Sequence, residues 1–228
     1  MPGLGPLEAH YVSAAVGLGP ARRFAAWDRY QRVAEVVDGL GDDLLVLDVG
    51  CGPGPIARML ADRHRFVGVD IAREPLDQFA RFGLAVVADA LRLPFRDETF
   101  DVVLCTQTLY HLPLDGALNE IARVTRRSGY LVLQQDMLHD FSLWPQLAYW
   151  AVRRRMPGRF RLVYTTGRSR WRTIRRALDG AGFEPIRRLA LEIPIGPLYT
   201  PALARRLGAV IGELPALASQ QIVVAVRR

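Results

Sequence analysis

A glycine-rich segment and two acidic residues carry the clearest chemical signal in the sequence. Asp48 is followed by Gly50, Gly52 and Gly54 at alternate positions. Glycines at this spacing allow a tight turn and let a ligand lie against bare backbone. Asp70 follows Gly50 by twenty residues, a separation at which a carboxylate accepts hydrogen bonds from ribose hydroxyls. The spacing therefore predicts a nucleoside-binding site.

The glycine loop departs from the pattern expected for a nicotinamide dinucleotide. That pattern has a third glycine that packs the following helix against the strand, and Pro55 occupies this position here. The acidic side chain of Asp48 would repel a pyrophosphate and attract a cation. The loop therefore favours S-adenosylmethionine, which carries an ammonium group and a sulfonium.

The segments around this loop alternate short β-branched runs with amphipathic stretches, which is typical of a parallel sheet covered by helices. We predict seven strands, at 44–49, 66–70, 85–89, 100–106, 129–135, 184–193 and 221–227. We predict helices at 22–37, 55–63, 74–81, 114–125 and 170–181. The predicted fold is α/β, a doubly wound, mostly parallel seven-stranded sheet of the Rossmann-like type. Asp101, beside a strand start, is predicted to be structural.

Four segments in this order resemble the class I S-adenosylmethionine-dependent methyltransferases. They are the glycine loop at 47–54 and the stretches 88–103, 109–112 and 120–129. Together they are similar to the small-molecule branch that includes the quinone-biosynthesis methyltransferases. The resemblance covers about residues 44–135, which is less than half of the chain.

The resemblance implies a cofactor role for individual residues. Asp70 would bind the ribose hydroxyls, and Ile71 would pack on the adenine ring. Asp89 would accept a hydrogen bond from the adenine amino group, and Ala90 would supply a backbone N–H. Thr106 would face the methionine ammonium through its carbonyl. The remaining expected cofactor contacts are Asp48, Gly50, Cys51, Gly52, Gly54 and Leu91.

Several residues are candidates for contact with the methyl acceptor. His111 follows the fourth predicted strand at the edge where ligands bind in doubly wound sheets, and it is our candidate base. The alternative for His111 is a structural hydrogen-bond partner. Tyr110, His139 and Tyr11 are candidate substrate-binding residues. The acceptor is expected to be a small organic molecule methylated on oxygen, nitrogen or carbon.

Length and composition favour one domain of 228 residues, half of them hydrophobic. We expect an N-terminal helical cover at 1–43, a cofactor-binding core at 44–135, and a cap with the final strands at 136–228. Cys51 and Cys105 are expected to be reduced small core residues of a cytoplasmic protein, and they form no metal site. No signal peptide or membrane span is recognisable.

The net charge of +7 is unevenly distributed, and all thirty basic residues are arginines. Residues 153–188 carry a balance of +10, which leaves −3 for the rest. Such a region is either a solvated face or a phosphate contact, and we expect no nucleic-acid partner. Aromatic residues among the arginines of 141–161 fit a lid over the site or a peripheral membrane contact. The alternatives to small-molecule methylation are an RNA methyltransferase and a non-catalytic nucleoside-binding scaffold, and no oligomeric state is predicted.

Overall fold

The computed structural model describes residues 20–138, 169–192 and 220–228. Within them the helices are α1 (Pro20–Asp38), α2 (Pro55–Leu60), α3 (Arg73–Phe79), α4 (Leu114–Val124) and α5 (Trp171–Gly180). The strands are β1 (Leu45–Val49), β2 (Arg65–Asp70), β3 (Gly83–Val87), β4 (Phe100–Thr106), β5 (Thr125–Leu138), β6 (Ser169–Arg170), β7 (Phe183–Glu192) and β8 (Gln220–Arg227). None of the described helices is long and apolar enough to cross a membrane.

The described strands form one main sheet with the order β3-β2-β1-β4-β5-β8-β7. The first five strands in this order are parallel, whereas β8 runs antiparallel to both β5 and β7. The two-residue strand β6 pairs only with the end of β5. The predicted seven-stranded, mostly parallel sheet is confirmed. Its strand order reverses between β1 and β4, which is where doubly wound sheets bind ligands.

The sheet is covered on both faces because its central strands are apolar on both sides. One face packs against α1, α2 and α3, and its buried residues are Val33, Val37, Val46, Ile56, Phe79, Leu104 and Val132, among others. The other face packs against α4 and α5, and its buried residues include Val103, Leu118, Ile121, Leu131, Ile174 and Leu178. The predicted N-terminal helix is confirmed as α1, which covers part of the first face.

The packing of α3 on β2 depends on two glycines. A Cβ at Gly68 would lie 2.5 Å from the ring of Phe79, and one at Gly54 would lie 2.6 Å from it. Both distances are far below ordinary van der Waals contact, so a side chain at either position would displace the ring. Phe79 is completely buried. The glycine loop is therefore held against α3 by the same ring that packs on β2.

Several element boundaries differ from the sequence-based prediction. Strand β3 spans Gly83–Val87 rather than 85–89, so Asp89 lies in the following loop. The strand can begin at Gly83 because a Cβ there would lie 2.2 Å from the carbonyl oxygen of Phe66 on β2. Strand β5 is longer than predicted, and its extension starts at Thr125, which pairs with Phe100 across a register shift. Helix α2 ends at Leu60, three residues early.

Asp101 has the structural role that the sequence suggested. Its Oδ2 accepts a hydrogen bond of 2.8 Å from the N–H of Leu45, and its Oδ1 accepts one from Arg126. Leu45 is the first residue of β1, so the carboxylate satisfies a donor where that strand begins. Asp101 thereby fixes the start of β1 against β4, far from the carboxyl edge.

Candidate cofactor and acceptor site

The carboxyl ends of the parallel strands place four polar residues on one face of the sheet. Residues two apart on a strand share a face, so Asp48, Thr106 and Gln134 lie on the face of Val46, Leu104 and Val132. Asp70 lies on this face too, because it follows Phe66 by four residues on β2 and Phe66 belongs to the same buried cluster. Register pairs Thr106 with Gln134. These residues lie at the carboxyl ends of β1, β2 and β4, and on β5 beside the end of β4, around the reversal point.

The glycine loop uses its own N–H groups inside the protein. Gly50, Gly52 and Gly54 have φ values of 71°, 52° and 77°, the left-handed region that favours glycine. The N–H groups of Gly50 and Cys51 donate to the carbonyl of Val69 at 2.8 and 3.1 Å. Gly52 donates to Asp70 at 3.0 Å, and Gly54 donates to Cys51 at 3.0 Å. The loop therefore offers a phosphate none of these four donors.

Asp48 is a buried carboxylate below this loop. It is 1% exposed, and its Oδ1 has no hydrogen-bond partner in the described part of the chain. Burial, and then repulsion from Asp70, raise the pKa of Asp48 to about 7. An acidic group in this state is suited to a cationic ligand group, which would supply the missing partner.

Asp70 organises the loop and keeps acceptor capacity for a ligand. Its Oδ2 accepts from Gly52 at 3.0 Å, and its Oδ1 accepts from the N–H of Ala72 at 2.9 Å. A carboxylate has about four lone-pair positions, so roughly two remain for other donors. Asp70, the residue predicted to bind the ribose hydroxyls, therefore also anchors the glycine loop.

Apolar side chains beside Asp70 are left uncovered at the carboxyl edge. Ile71 is 78% exposed and Leu91 is 38% exposed. Between them in sequence, Asp89 accepts a hydrogen bond of 2.9 Å from the N–H of Leu91 through its Oδ1, and Ala90 is half-buried. Apolar surface and an exposed carboxylate thus lie in the segments predicted to contact adenine, and the contacts themselves stay a prediction.

The loop after Leu91 is clamped by two residues of α4 that the sequence analysis did not single out. Glu120 accepts a hydrogen bond of 2.8 Å from the N–H of Leu93. Arg123 donates to the carbonyls of Leu93 and Phe95 at 3.0 and 2.8 Å, and it pairs with Glu120 at 2.7 Å. Hydrogen bonding to Arg123 lowers the pKa of Glu120. The available signal in the sequence was the spacing of Glu120 and Arg123, which are three residues apart on a predicted helix and can form an ion pair there.

The segment after β4 packs directly on the glycine loop. A Cβ at Gly50 would lie 2.2 Å from Oγ1 of Thr108, so the two segments touch. Thr108 donates through this hydroxyl to the carbonyl of Thr106 at 3.0 Å. The carbonyl predicted to face the methionine ammonium thus already accepts one hydrogen bond. It has one further lone pair for a ligand.

Both cysteines are core residues, as predicted. Cys51 is 4% exposed and Cys105 is fully buried. Burial is the main cause that raises the pKa of each thiol above its usual range, so both are neutral near pH 7. The side chain of Cys51 packs in the buried cluster under α1, α2 and α3, and its Sγ donates to the carbonyl of Gly52 at 3.4 Å.

The candidate acceptor residues are only partly covered by the structure. His111 is exposed and ends a 3₁₀ turn, Leu109–His111, which follows β4 at the carboxyl edge. Tyr110 lies in the same turn. Tyr11 and His139 lie outside the described residues, as do the aromatic and arginine-rich stretch 141–161 and the segment 194–217 of the predicted cap.

Two glutamines at this edge were not predicted as site residues. Gln134 is completely buried on β5, and its Oε1 accepts a hydrogen bond of 3.3 Å from Nε2 of Gln107. The N–H of Gln107 donates to the carbonyl of Gln134 at 2.8 Å. The available signal was the pair of polar residues, Gln134 and Gln135, that directly follows the apolar residues 131–133 of a predicted strand.

Comparison with known proteins finds similarity to methyltransferases. The family model described as methyltransferase domain matches residues 47–133. Demethylmenaquinone methyltransferase of Thermobifida fusca is 38% identical over 118 residues, covering 46% of this chain and 50% of that protein. Malonyl-[acyl-carrier protein] O-methyltransferase of Geobacter sulfurreducens is 32% identical over 157 residues, covering 62% and 56%. The chain spans about half the length of these curated relatives.

Solved structures show the same fold. Magnesium protoporphyrin IX methyltransferase from Synechocystis aligns with a TM-score of 0.62 and 20% identity, covering 90% of this chain and 84% of that chain. The alignment reaches well beyond the segment matched by the family model. Residues 47–133 of this chain are therefore similar to the methyltransferase domain family, and the chain shares the fold of a solved methyltransferase.

Proposed function

We propose that the protein transfers a methyl group from S-adenosylmethionine to a small organic acceptor. The observation that carries this proposal is the buried carboxylate of Asp48, which has an oxygen without a partner. It lies below a glycine loop whose N–H groups are already used within the protein. Such a site fits a nucleoside that ends in a cation rather than in a pyrophosphate.

The residues present fit this cofactor along its whole length. Asp70 would accept from the ribose hydroxyls, and Ile71 and Leu91 would pack against adenine. The carboxylate of Asp48 and the carbonyl of Thr106 would face the ammonium group. When bound, S-adenosylmethionine supplies an electrophilic methyl group on a sulfonium, so the protein mainly has to position the acceptor.

On the acceptor side, His111 would take a proton from an acceptor hydroxyl or carbon acid during transfer. Its exposed position after β4 at the carboxyl edge supports this role. The curated relatives above are named for demethylmenaquinone and for malonyl-[acyl-carrier protein], and a small organic acceptor is our proposal for this chain. Tyr110, Tyr11 and His139 remain proposed acceptor contacts.

Cofactor binding is tested by calorimetric titration of S-adenosylmethionine and S-adenosylhomocysteine into the wild type and Asp70→Ala. Loss of a hydrogen-bonded carboxylate costs about 1.5 to 3 kcal/mol, so affinity is expected to fall by about ten- to a hundredfold. Asp77→Ala is the matched control, because Asp77 is an exposed carboxylate on α3. Unchanged affinity in Asp70→Ala would refute the ribose assignment.

Turnover distinguishes an enzyme from a nucleoside-binding scaffold. Methyl-labelled S-adenosylmethionine is incubated with the protein and a panel that contains a naphthohydroquinone, catechol, salicylate and transfer RNA. Label in a small aromatic product supports the proposal, whereas label in RNA favours an RNA methyltransferase. One curated relative, from Arabidopsis thaliana, is named as a tRNA (carboxymethyluridine(34)-5-O)-methyltransferase, which is why RNA belongs in the panel.

Three described arginines of the basic region fit the interpretation as a solvated face, which needs no nucleic-acid partner. On α5, Arg172, Arg175 and Arg176 are exposed, while Ile174 and Leu178 are buried. This is the pattern of a solvated helix face. Peripheral membrane contact through 141–161 stays a proposal, and flotation with anionic vesicles is its test.

A further inference from the structure

Gln134 has an amide group that is only half satisfied. The side chain is 0% exposed, and its Oε1 accepts a hydrogen bond from Gln107. Its Nε2 has no hydrogen-bond partner among the described residues. A buried amide donor without a partner destabilises the folded protein, so its presence next to the buried residues Leu131, Val132 and Leu133 calls for an explanation.

The surroundings of Gln134 place this donor at the candidate site. Gln134 is the register partner of Thr106, whose carbonyl is a proposed cofactor contact. Its side chain is on the same face of the sheet as Asp48, because both alternate with residues of one buried cluster. The unpaired N–H₂ group therefore lies at the carboxyl edge of the sheet, on the strand β5 that neighbours β4. This position is next to the proposed methionine end of the cofactor.

The local backbone keeps the amide in this orientation. Gln107 has a φ of 55°, an uncommon conformation for a residue other than glycine. Its N–H donates to the carbonyl of Gln134 at 2.8 Å, and its side-chain Nε2 donates to Oε1 at 3.3 Å. Because Gln107 occupies the oxygen of the Gln134 amide, the nitrogen is the end left for a ligand.

We infer that Nε2 of Gln134 donates a hydrogen bond to an oxygen of the methyl acceptor. The acceptor class would thus carry a carbonyl, carboxylate or phenolate oxygen close to the methylated atom. An N–H₂ group is a donor only and gives a cationic amine no partner. This inference rests on the proposed function and names the chemistry that selects its substrate.

The test measures binding of salicylate and of benzylamine to the complex with S-adenosylhomocysteine. Gln134→Leu should weaken salicylate binding by about ten- to a hundredfold, the loss expected for a hydrogen bond to a charged group. Gln134→Glu keeps the shape but replaces the donor by an acceptor, so it should lose salicylate and gain benzylamine. Affinity for S-adenosylhomocysteine should be unchanged in both variants.

Gln135→Leu is the matched control. Gln135 is equally buried on the same strand, but it points to the opposite face, on the side of Leu131 and Leu133. Salicylate affinity should be unchanged in this variant. An equal loss in Gln134→Leu and Gln135→Leu would overturn the inference, and so would absence of salicylate binding to the wild-type complex.

Stability without ligand provides the second readout. In Gln134→Leu, removal of the unpaired buried donor offsets loss of the hydrogen bond from Gln107, so the urea midpoint should be unchanged or higher, whereas a purely structural amide would lower it. A lowered midpoint with unchanged salicylate affinity overturns the inference. Failure of the wild type to bind S-adenosylhomocysteine would instead refute the proposed function, and the inference would fall with it.

Discussion

Replacing Asp48 by asparagine should make the ligand-free protein more stable while weakening cofactor binding. The carboxyl has an ordinary pKa of 3.8, and burial followed by repulsion from Asp70 raises it to about 7 in the folded protein. Between these pH values the folded state holds a proton that the unfolded chain has released. Stability from this group is therefore fully present below pH 3.8 and is lost as the pH rises to about 7.

The size of the effect follows from the difference between the two pKa values. A difference of about three pKa units corresponds to a loss of up to about 4 kcal/mol between pH 4 and 8. The neutral side chain in Asp48→Asn avoids this loss. Its free energy of unfolding should exceed that of the wild type by up to about 4 kcal/mol at pH 8 and match it near pH 4.

Urea denaturation at a series of pH values between 4 and 8 measures this difference. Asp77→Asn, which changes an exposed carboxylate, should stay within about 0.5 kcal/mol of the wild type throughout. In calorimetry, wild-type affinity for S-adenosylmethionine should rise as the pH passes 7 and Asp48 ionises, while Asp48→Asn should lack this rise. A variant less stable than the wild type at pH 8, or one with full cofactor affinity, would refute the reasoning.

Three further predictions concern the edge of the sheet. His111→Gln should lower turnover by about 10²- to 10⁴-fold with unchanged affinity for S-adenosylhomocysteine, and a parent-like rate would make the histidine structural. Gly54→Ala should lower the free energy of unfolding by about 1 to 3 kcal/mol in urea, because a Cβ would meet Phe79 and the residue needs a positive φ. Arg123→Lys should weaken the binding of adenosine and of S-adenosylhomocysteine by the same factor in calorimetry, because it loosens the loop beside Leu91. Unequal losses of affinity for the two ligands would contradict this prediction.

The sequence determined the parallel core and most of the proposed cofactor site. The glycine loop, Asp48 and Asp70 are identifiable because a turn at the end of a buried strand constrains residue types over a few neighbouring positions. Strand type and order along the chain follow from the period of the apolar residues. The boundary of β3 was wrong by two residues, because contact between Gly83 and the backbone of Phe66 starts that strand.

Only the tertiary structure decided what the polar groups at the carboxyl edge do. The raised pKa of Asp48 depends on its burial in the folded chain and on the approach of Asp70 from β2, which no local pattern encodes. The pairing of Gln107 with Gln134 joins residues 27 apart in the sequence, and the register of β4 and β5 makes it. Local residue types set which chemistry is available, whereas burial and strand register, both long-range properties, set which groups are left without a partner.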